Sequence, residues 1–300
     1  MRTGVMRAIV VLVTILAFSG ITNAQPPRTA ATNVPVAPAS TKPFDPHDVS
    51  GVWVPTGLGQ MSAGRPAMTE WGKAKWATTK PAGRQTPMAF GYFPDQKDWN
   101  DPILWCDPAG FPRVLWYTGG GRGNLRIVNA PGEVLQFFER DHVWREFWMD
   151  GRKLLDKPEP RWFGYAIAHW EGDTFVVESN GYDSRAWIDL NGSIFSDEMK
   201  MVERYRRVDH DHLELVITIN DPKAYTEPWV SDKKIFNWQA TSDRVQPDLW
   251  GSKPDGTPHG NEVREDLCLY SEQESFFTRI DPAGLGGRLS IQDDQETPKK

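Results

Sequence analysis

Three hundred residues with 40 acidic against 34 basic side chains carry a formal charge of −6, so no excess of Lys and Arg exists to neutralise a nucleic-acid backbone. With 25% charged and 39% hydrophobic residues, the chain is neither a disordered acidic tail nor a membrane bundle. Fourteen Trp exceed what core filling needs and point to a surface that stacks on rings or anchors an interface.

Residues 1–24 read as an export signal. Arg2 and Arg7 precede the apolar run Ala8 to Phe18, and Thr22-Asn23-Ala24 offers small residues for cleavage. The run is too short for a bilayer-spanning helix, which needs about 20 residues, and no later stretch reaches that length. A periplasmic or secreted protein without a membrane anchor is therefore expected. Losing Arg2 and Arg7 would take its formal charge from −6 to −8. Residues 25–47 are rich in Pro, Ala and Thr and read as an extended linker, 48–290 as a single folded domain, and 291–300 as a polar tail.

Export bears on the two cysteines, Cys106 and Cys268. An even count in an oxidising compartment favours a disulfide between them, with two buried thiols as the alternative. Neither has a CxxC partner or an adjacent His, which leaves little basis for a metal or nucleophilic role.

From Gly57 to Gly110 the sequence is loop-like, with one short helix capped by Thr69, carrying Trp71, Ala74, Lys75 and Trp76, and stopped before Pro81. Tyr117 to Asn124 is glycine-rich but lacks the frame and the Lys-Ser/Thr of a phosphate-binding loop. From Leu125 the pattern turns to period two. Strands are expected at Leu125–Val128, Val134–Glu139, Val143–Met149, Tyr165–Trp170, Thr174–Ser179, Met199–Val208 and Leu213–Asn220, with turns between them and no helical crossover. Asp48 to Trp53 supplies a first strand. The fold class is thus all-β, an antiparallel meander that escapes free edges by closing into a barrel, with long Trp- and Pro-rich loops. No internal repeat supports a propeller.

Gly51-x-Trp53 resembles the short motif on the first strand of lipocalins, where the Trp plugs the barrel floor. A set of linked motifs adds to it: Cys106-x-Pro108-x-Gly110-x-Pro112-Arg113, Met149-Asp150-Gly151-Arg152, and Trp170-Glu171-Gly172-Asp173-Thr174-Phe175-Val176-Val177. Trp187-x-Asp189, Glu203-Arg204-Tyr205-Arg206-Arg207, Thr218-x-x-Asp221-Pro222-Lys223-Ala224-Tyr225 and Glu265-x-x-Cys268 complete it. Together they resemble a family of uncharacterised exported bacterial proteins, and the resemblance spans Val49 to Cys268. It implies export and a lipocalin-like barrel, and no settled activity. Where the family pattern carries His before a Ser after Trp-x-Asp, this chain has Phe195-Ser196, so a mechanism needing that His would not transfer.

Candidate site residues follow from strand faces. Glu178 is grouped with Ala166, Ala168, Trp170, Thr174 and Val176 on a lumen face, where a carboxylate in a low-dielectric cavity has its pKa raised and can act as acid or base. A rim Glu paired with Arg or Lys is the competing reading. Asp183 and Asp189 flank Trp187 in a polar loop, a pattern able to present carboxylates beside an aromatic platform, or simply to cap turns. Trp170, Trp187, Glu203, Arg204 and Arg206 are candidate ligand contacts, since an arginine in a barrel can clamp a carboxylate; cross-strand ion pairs explain the charged ones equally. His210 and His212 with Asp209 and Asp211 read as a solvated hairpin tip, with no metal or cofactor implied. Two function classes stay open: a binder of a small apolar, aromatic or sugar-like ligand in the barrel mouth, or a lyase, isomerase or hydrolase using carboxylate acid/base catalysis.

Overall fold

The computed structural model describes residues 39–56, 60–81, 100–115, 124–140 and 142–238, which fall in one compact unit. The expected export signal, polar tail and Cys268 lie outside them, as does most of the glycine-rich segment, so the disulfide expectation concerns only Cys106 here. Ten strands form: β1 Gly51–Thr56, β2 Leu125–Ala130, β3 Glu133–Phe138, β4 Trp144–Trp148, β5 Tyr165–Glu171, β6 Thr174–Asn180, β7 Lys200–Arg207, β8 His212–Asn220, β9 Trp229–Val230 and β10 Lys234–Trp238. The helix expected after Thr69 is α1, Glu70–Trp76, with the Thr69 hydroxyl accepting from Gly72 N at 3.0 Å.

The alternation that marks these strands is steric sorting. On β8, Leu213, Leu215, Ile217 and Ile219 are fully buried while Glu214, Val216 and Thr218 are not. On β7 the inward set is Met201, Glu203, Tyr205 and Arg207, and Arg204 and Arg206 face solvent. Strand follows strand from β1 to β8, and β10 pairs with both β1 and β8, closing a nine-stranded barrel; β9 pairs with Thr218 and Ile219 of β8, beyond the stretch that β10 takes. An all-β barrel is therefore what the chain forms.

Three features depart from the expected meander. The closing strand β10 is an addition, since Lys234–Trp238 carries no clear alternation and its partners are remote in sequence. One seam is parallel: β4 meets β5 through only Phe147↔Ala166 and Trp148↔Ile167, with residues 149–164 crossing between them without a helix. The end of the expected linker is also docked. The His47 ring lies 4.8 Å from that of Trp170, and the adjoining Asp48, first residue of the expected domain, is held by Asn129 Nδ2, which donates to its Oδ1 at 3.0 Å, and by Arg207 Nη1, which donates to its C=O at 2.8 Å.

The interior is filled by the protein itself. Inward residues of the strands share one apolar cluster with Ala109, Phe111, Val114 and Leu115 from one loop and Tyr182, Ile188, Ile194 and Phe195 from another. At the end where β1 begins, Trp53 is fully buried and donates Nε1 to Val49 O at 3.0 Å. Its ring meets Trp238 edge-on at 5.2 Å, and the Arg207 guanidinium lies 5.4 Å and 5.0 Å from the two rings. Gly51 makes this packing possible. It has φ +136°, and a Cβ there would fall 2.2 Å from a Trp238 ring carbon. Gly51→Ala is therefore expected to destabilise the fold by at least about 2 kcal/mol, through overpacking and backbone strain, with a lowered midpoint in denaturant titration; an unchanged midpoint would show that the β1–β10 seam is not under this constraint.

Candidate functional site

Two arrangements of polar and aromatic groups stand out. The first is inside the barrel. Arg145 of β4 and Glu203 of β7, both buried, form a bidentate pair: Nη2 to Oε1 at 2.7 Å and Nη1 to Oε2 at 3.1 Å. Arg145 Nη1 also donates to Gln136 Oε1 at 3.2 Å, Gln136 Nε2 donates to the Tyr205 hydroxyl at 3.2 Å, and that hydroxyl donates to Glu203 Oε2 at 2.8 Å. The guanidinium carbon sits 3.6 Å from the Phe111 ring centroid and 4.9 Å from that of Phe147. Burial works to lower the Arg145 pKa, yet the charge and hydrogen bonds of Glu203 outweigh it and hold the arginine cationic. Burial pushes the Tyr205 phenol well above its usual range and Tyr182 up to about 12, with Tyr182 donating to Ser179 Oγ at 2.5 Å. At neutral pH both phenols keep their protons. The cluster is a closed, charge-balanced unit, with no carboxylate left over as a base.

The second arrangement is outside, over the parallel seam. Alternation on β4 turns Arg145 and Phe147 inward and Trp144, Glu146 and Trp148 outward. The crossover arches away from the strands and is pinned at its far side: Asn180 Nδ2 donates to Leu155 O at 2.8 Å, Arg161 N to Gly181 O at 2.9 Å, and Asp183 N to Arg161 O at 2.9 Å. Between loop and strands lies an open groove of about 560 Å³ lined by Trp144, Trp148, Leu155, Arg161, Trp162 and Tyr165, among others. Trp144 is 52% exposed and Leu155 53%, unusual for side chains of this size unless they meet something. Three cations stack on the aromatic rings: Arg152 on Trp148 at 3.9 Å, Arg161 on Tyr165 at 4.2 Å and Arg185 on Trp162 at 4.6 Å. Asp150 is held down to about 2 by the hydrogen bonds from Arg152, and Asp183 is lowered by those from Arg185, so both are carboxylates at neutral pH.

The structure disperses the residues expected to form a catalytic set. Glu178 is on the outer face, opposite Ile167 and Val202. The two-residue turn Gly172-Asp173 pairs Glu171 with Thr174, so odd positions of β5 share a face with even positions of β6; Ala166, Ala168 and Trp170 therefore face inward with Ser179, Val177 and Phe175, and not with Glu178. Asp183 holds Arg185, with its Oδ1 also accepting from Arg185 N at 3.0 Å. Asp189 is buried and spent on its own loop, accepting from Asn191 N, Ser193 N and Ser193 Oγ. Trp187 is buried beneath Arg113, which itself pairs with Asp101 at 2.6 Å, so it offers no exposed platform. Trp170 is partly buried against Phe175 at 5.1 Å. Of the β7 candidates only Glu203 faces the interior; Arg204 reaches Glu171 at 2.7 Å on the surface, and Arg206 lies across from Glu214 on that same face. His212 departs from the expected solvated tip. It is buried, with Nδ1 2.8 Å from Asp209 Oδ2, while His210 meets Asp211 at 2.6 Å.

The groove residues Trp144, Trp148, Arg161, Trp162 and Tyr165 were not among the sequence candidates. The signal existed in Trp144-x-Glu146-x-Trp148, a strand whose two Trp share one face with a Glu while Arg145 and Phe147 share the other. Comparison with protein families, with curated protein sequences and with solved structures finds no match to this chain, so the site rests on its own geometry.

The interior pair yields a sharp test. Arg145→Met leaves Glu203 buried without its partner and is expected to cost about 3–5 kcal/mol, whereas adding Glu203→Leu should recover much of that loss, both read by chemical denaturation. A double variant as unstable as the single one would show that the cation contributes chiefly through its stacking on Phe111.

Proposed function

We propose that this protein is an exported ligand-binding β-barrel whose ligand, a small aromatic or sugar-like ring compound, lies in the groove over the β4–β5 seam. One observation carries the reading: a concave surface of about 560 Å³ that combines the exposed Trp144 with further aromatic walls and fixed cations. Rings with apolar faces and polar edges suit such walls, because stacking uses the face and the arginines meet the edge. The barrel mouth is less favoured, since loop side chains such as Phe111 and Phe195 join the interior core. Export rests on the N-terminal sequence pattern and on its resemblance to exported proteins. No helix among the described residues is long and apolar enough to cross a membrane.

A binding role is supported over the enzyme reading by the fate of the carboxylates. Glu178 lies on the outer face of β6, Asp183 and Asp189 share the loop between β6 and β7, Glu203 points inward from β7, and the last three are each committed to a partner. Among the described residues no group of three His, Cys, Asp or Glu is placed to hold a metal ion. The proposal is tested by titrating the protein with indole and with a neutral disaccharide while following tryptophan fluorescence. Saturable binding of at least one is expected, and Trp144→Ala should weaken it by about 1–3 kcal/mol. Binding untouched by Trp144→Ala would place the ligand elsewhere, and no binding of either compound would end the reading.

A further inference from the structure

The three stacked arginines around the groove are not equivalent. Arg152 and Arg185 are built alike, each two residues after an aspartate. Asp150 Oδ1 accepts from Arg152 N at 3.1 Å and Nε at 2.9 Å while Oδ2 accepts from Nη2 at 2.6 Å; Asp183 holds Arg185 in the same way at 3.0, 3.0 and 2.6 Å. The guanidinium thus lies over a ring with its edge closed by a carboxylate. Arg161 follows the same spacing, after Glu159-Pro160, and is stacked on Tyr165, but its backbone N–H is given to Gly181 O at 2.9 Å. The turn that lets the aspartates reach their arginines is therefore not open to Glu159. No carboxylate lies within ion-pair distance of Arg161 among the described residues, and its N–H edge is left uncapped on the groove wall.

The backbone around Arg161 is nonetheless fixed. Its N–H is bonded to Gly181, its C=O accepts from Asp183 N at 2.9 Å and Gly164 N at 3.2 Å, and the residue bridges to Tyr182. Lys153 lines the same groove, and Glu146 is the carboxylate there. A planar donor on a fixed backbone, over an aromatic ring and lacking the anion that its two neighbours have, has the chemistry to receive a carboxylate.

We propose that Arg161 binds the carboxylate of the groove's ligand, so that the ligand class is a ring compound bearing a carboxylate, stacked toward Trp144 with its acid group on Arg161. This rests on the groove reading above and narrows it. The ring can come from an aromatic acid or from a uronic sugar, and the two sources share the carboxylate that Arg161 recognises.

The experiment measures affinities of the full chain for two matched pairs by calorimetry at low ionic strength: indole-3-acetate with its amide, and glucuronate with glucose. One acid is expected to bind about tenfold more tightly than its neutral partner, a modest factor because the site is open to solvent. The preference should shrink as salt rises. Arg161→Gln should abolish the preference, lowering the affinity for the acid about tenfold further than it lowers that for the neutral compound, and Arg161→Lys should restore part of the gap, with melting temperatures equal throughout. The pair that shows the preference identifies the source of the ring. Equal binding of acid and neutral partner, or a preference that survives Arg161→Gln, overturns the carboxylate assignment while leaving the groove as a ring site. If none of the four compounds binds, both readings fall together.

Discussion

The barrel depends on one strand holding two others. β10 pairs with β1 through Trp53↔Trp238 to Thr56↔Ile235 and with β8 through Lys234↔Leu215 to Asn237↔His212, which removes the open edges that a linear meander would expose. Packing reinforces this ladder. Trp238 comes from β10, Trp53 from β1 and Arg207 from β7, and the three meet at one end, so that closure of the backbone and burial of the largest side chains are a single event. The requirement for Gly51 follows from the same contact, because the Trp238 ring occupies the space where a side chain would stand.

Once the ring is closed, its interior must be filled at close-packed density. The chain does so with strand residues and two loops; Arg113 and Asp101 form one buried bidentate ion pair in the loop residues, and between the strands stands the bidentate pair of Arg145 and Glu203. The pair is tolerable in a low dielectric because every atom of the Glu203 carboxylate is engaged and the guanidinium is enclosed by aromatic faces. The pair itself carries no net charge. An interior arranged in this way supports the fold, while on the outside cations stack on rings within reach of solvent.

The outside site exists because one seam is parallel. Antiparallel neighbours need only a tight turn, whereas β4 and β5 must be joined by a chain that returns along the barrel. That return segment lifts off the sheet, leaves the seam with two paired positions and carries Arg152 and Arg161 over the outward Trp and Tyr residues. The barrel seam and the groove over it thus have a common cause in the direction of one strand.

The seven strands from Leu125 to Asn220 and the Thr69-capped helix were legible in the sequence, because alternation and capping are local properties written within a few residues. The burial of Trp53 after Gly51 was implied only by the resemblance to the lipocalin motif. Strand direction at β4–β5, the closing role of Lys234–Trp238 and the side on which Glu178 emerges were not legible, since each depends on register or on a partner far along the chain. The same distinction separates the site residues. Composition announced an excess of Trp, but Trp187 is buried while Trp144 is bare; and of two arginines that each follow an acid by two residues, Arg152 is capped while Arg161 is open. Local sequence determines which face of a strand a side chain takes relative to its neighbours; only the closed barrel decides which face is the interior, because inside and outside are defined by contacts between residues that the chain keeps far apart.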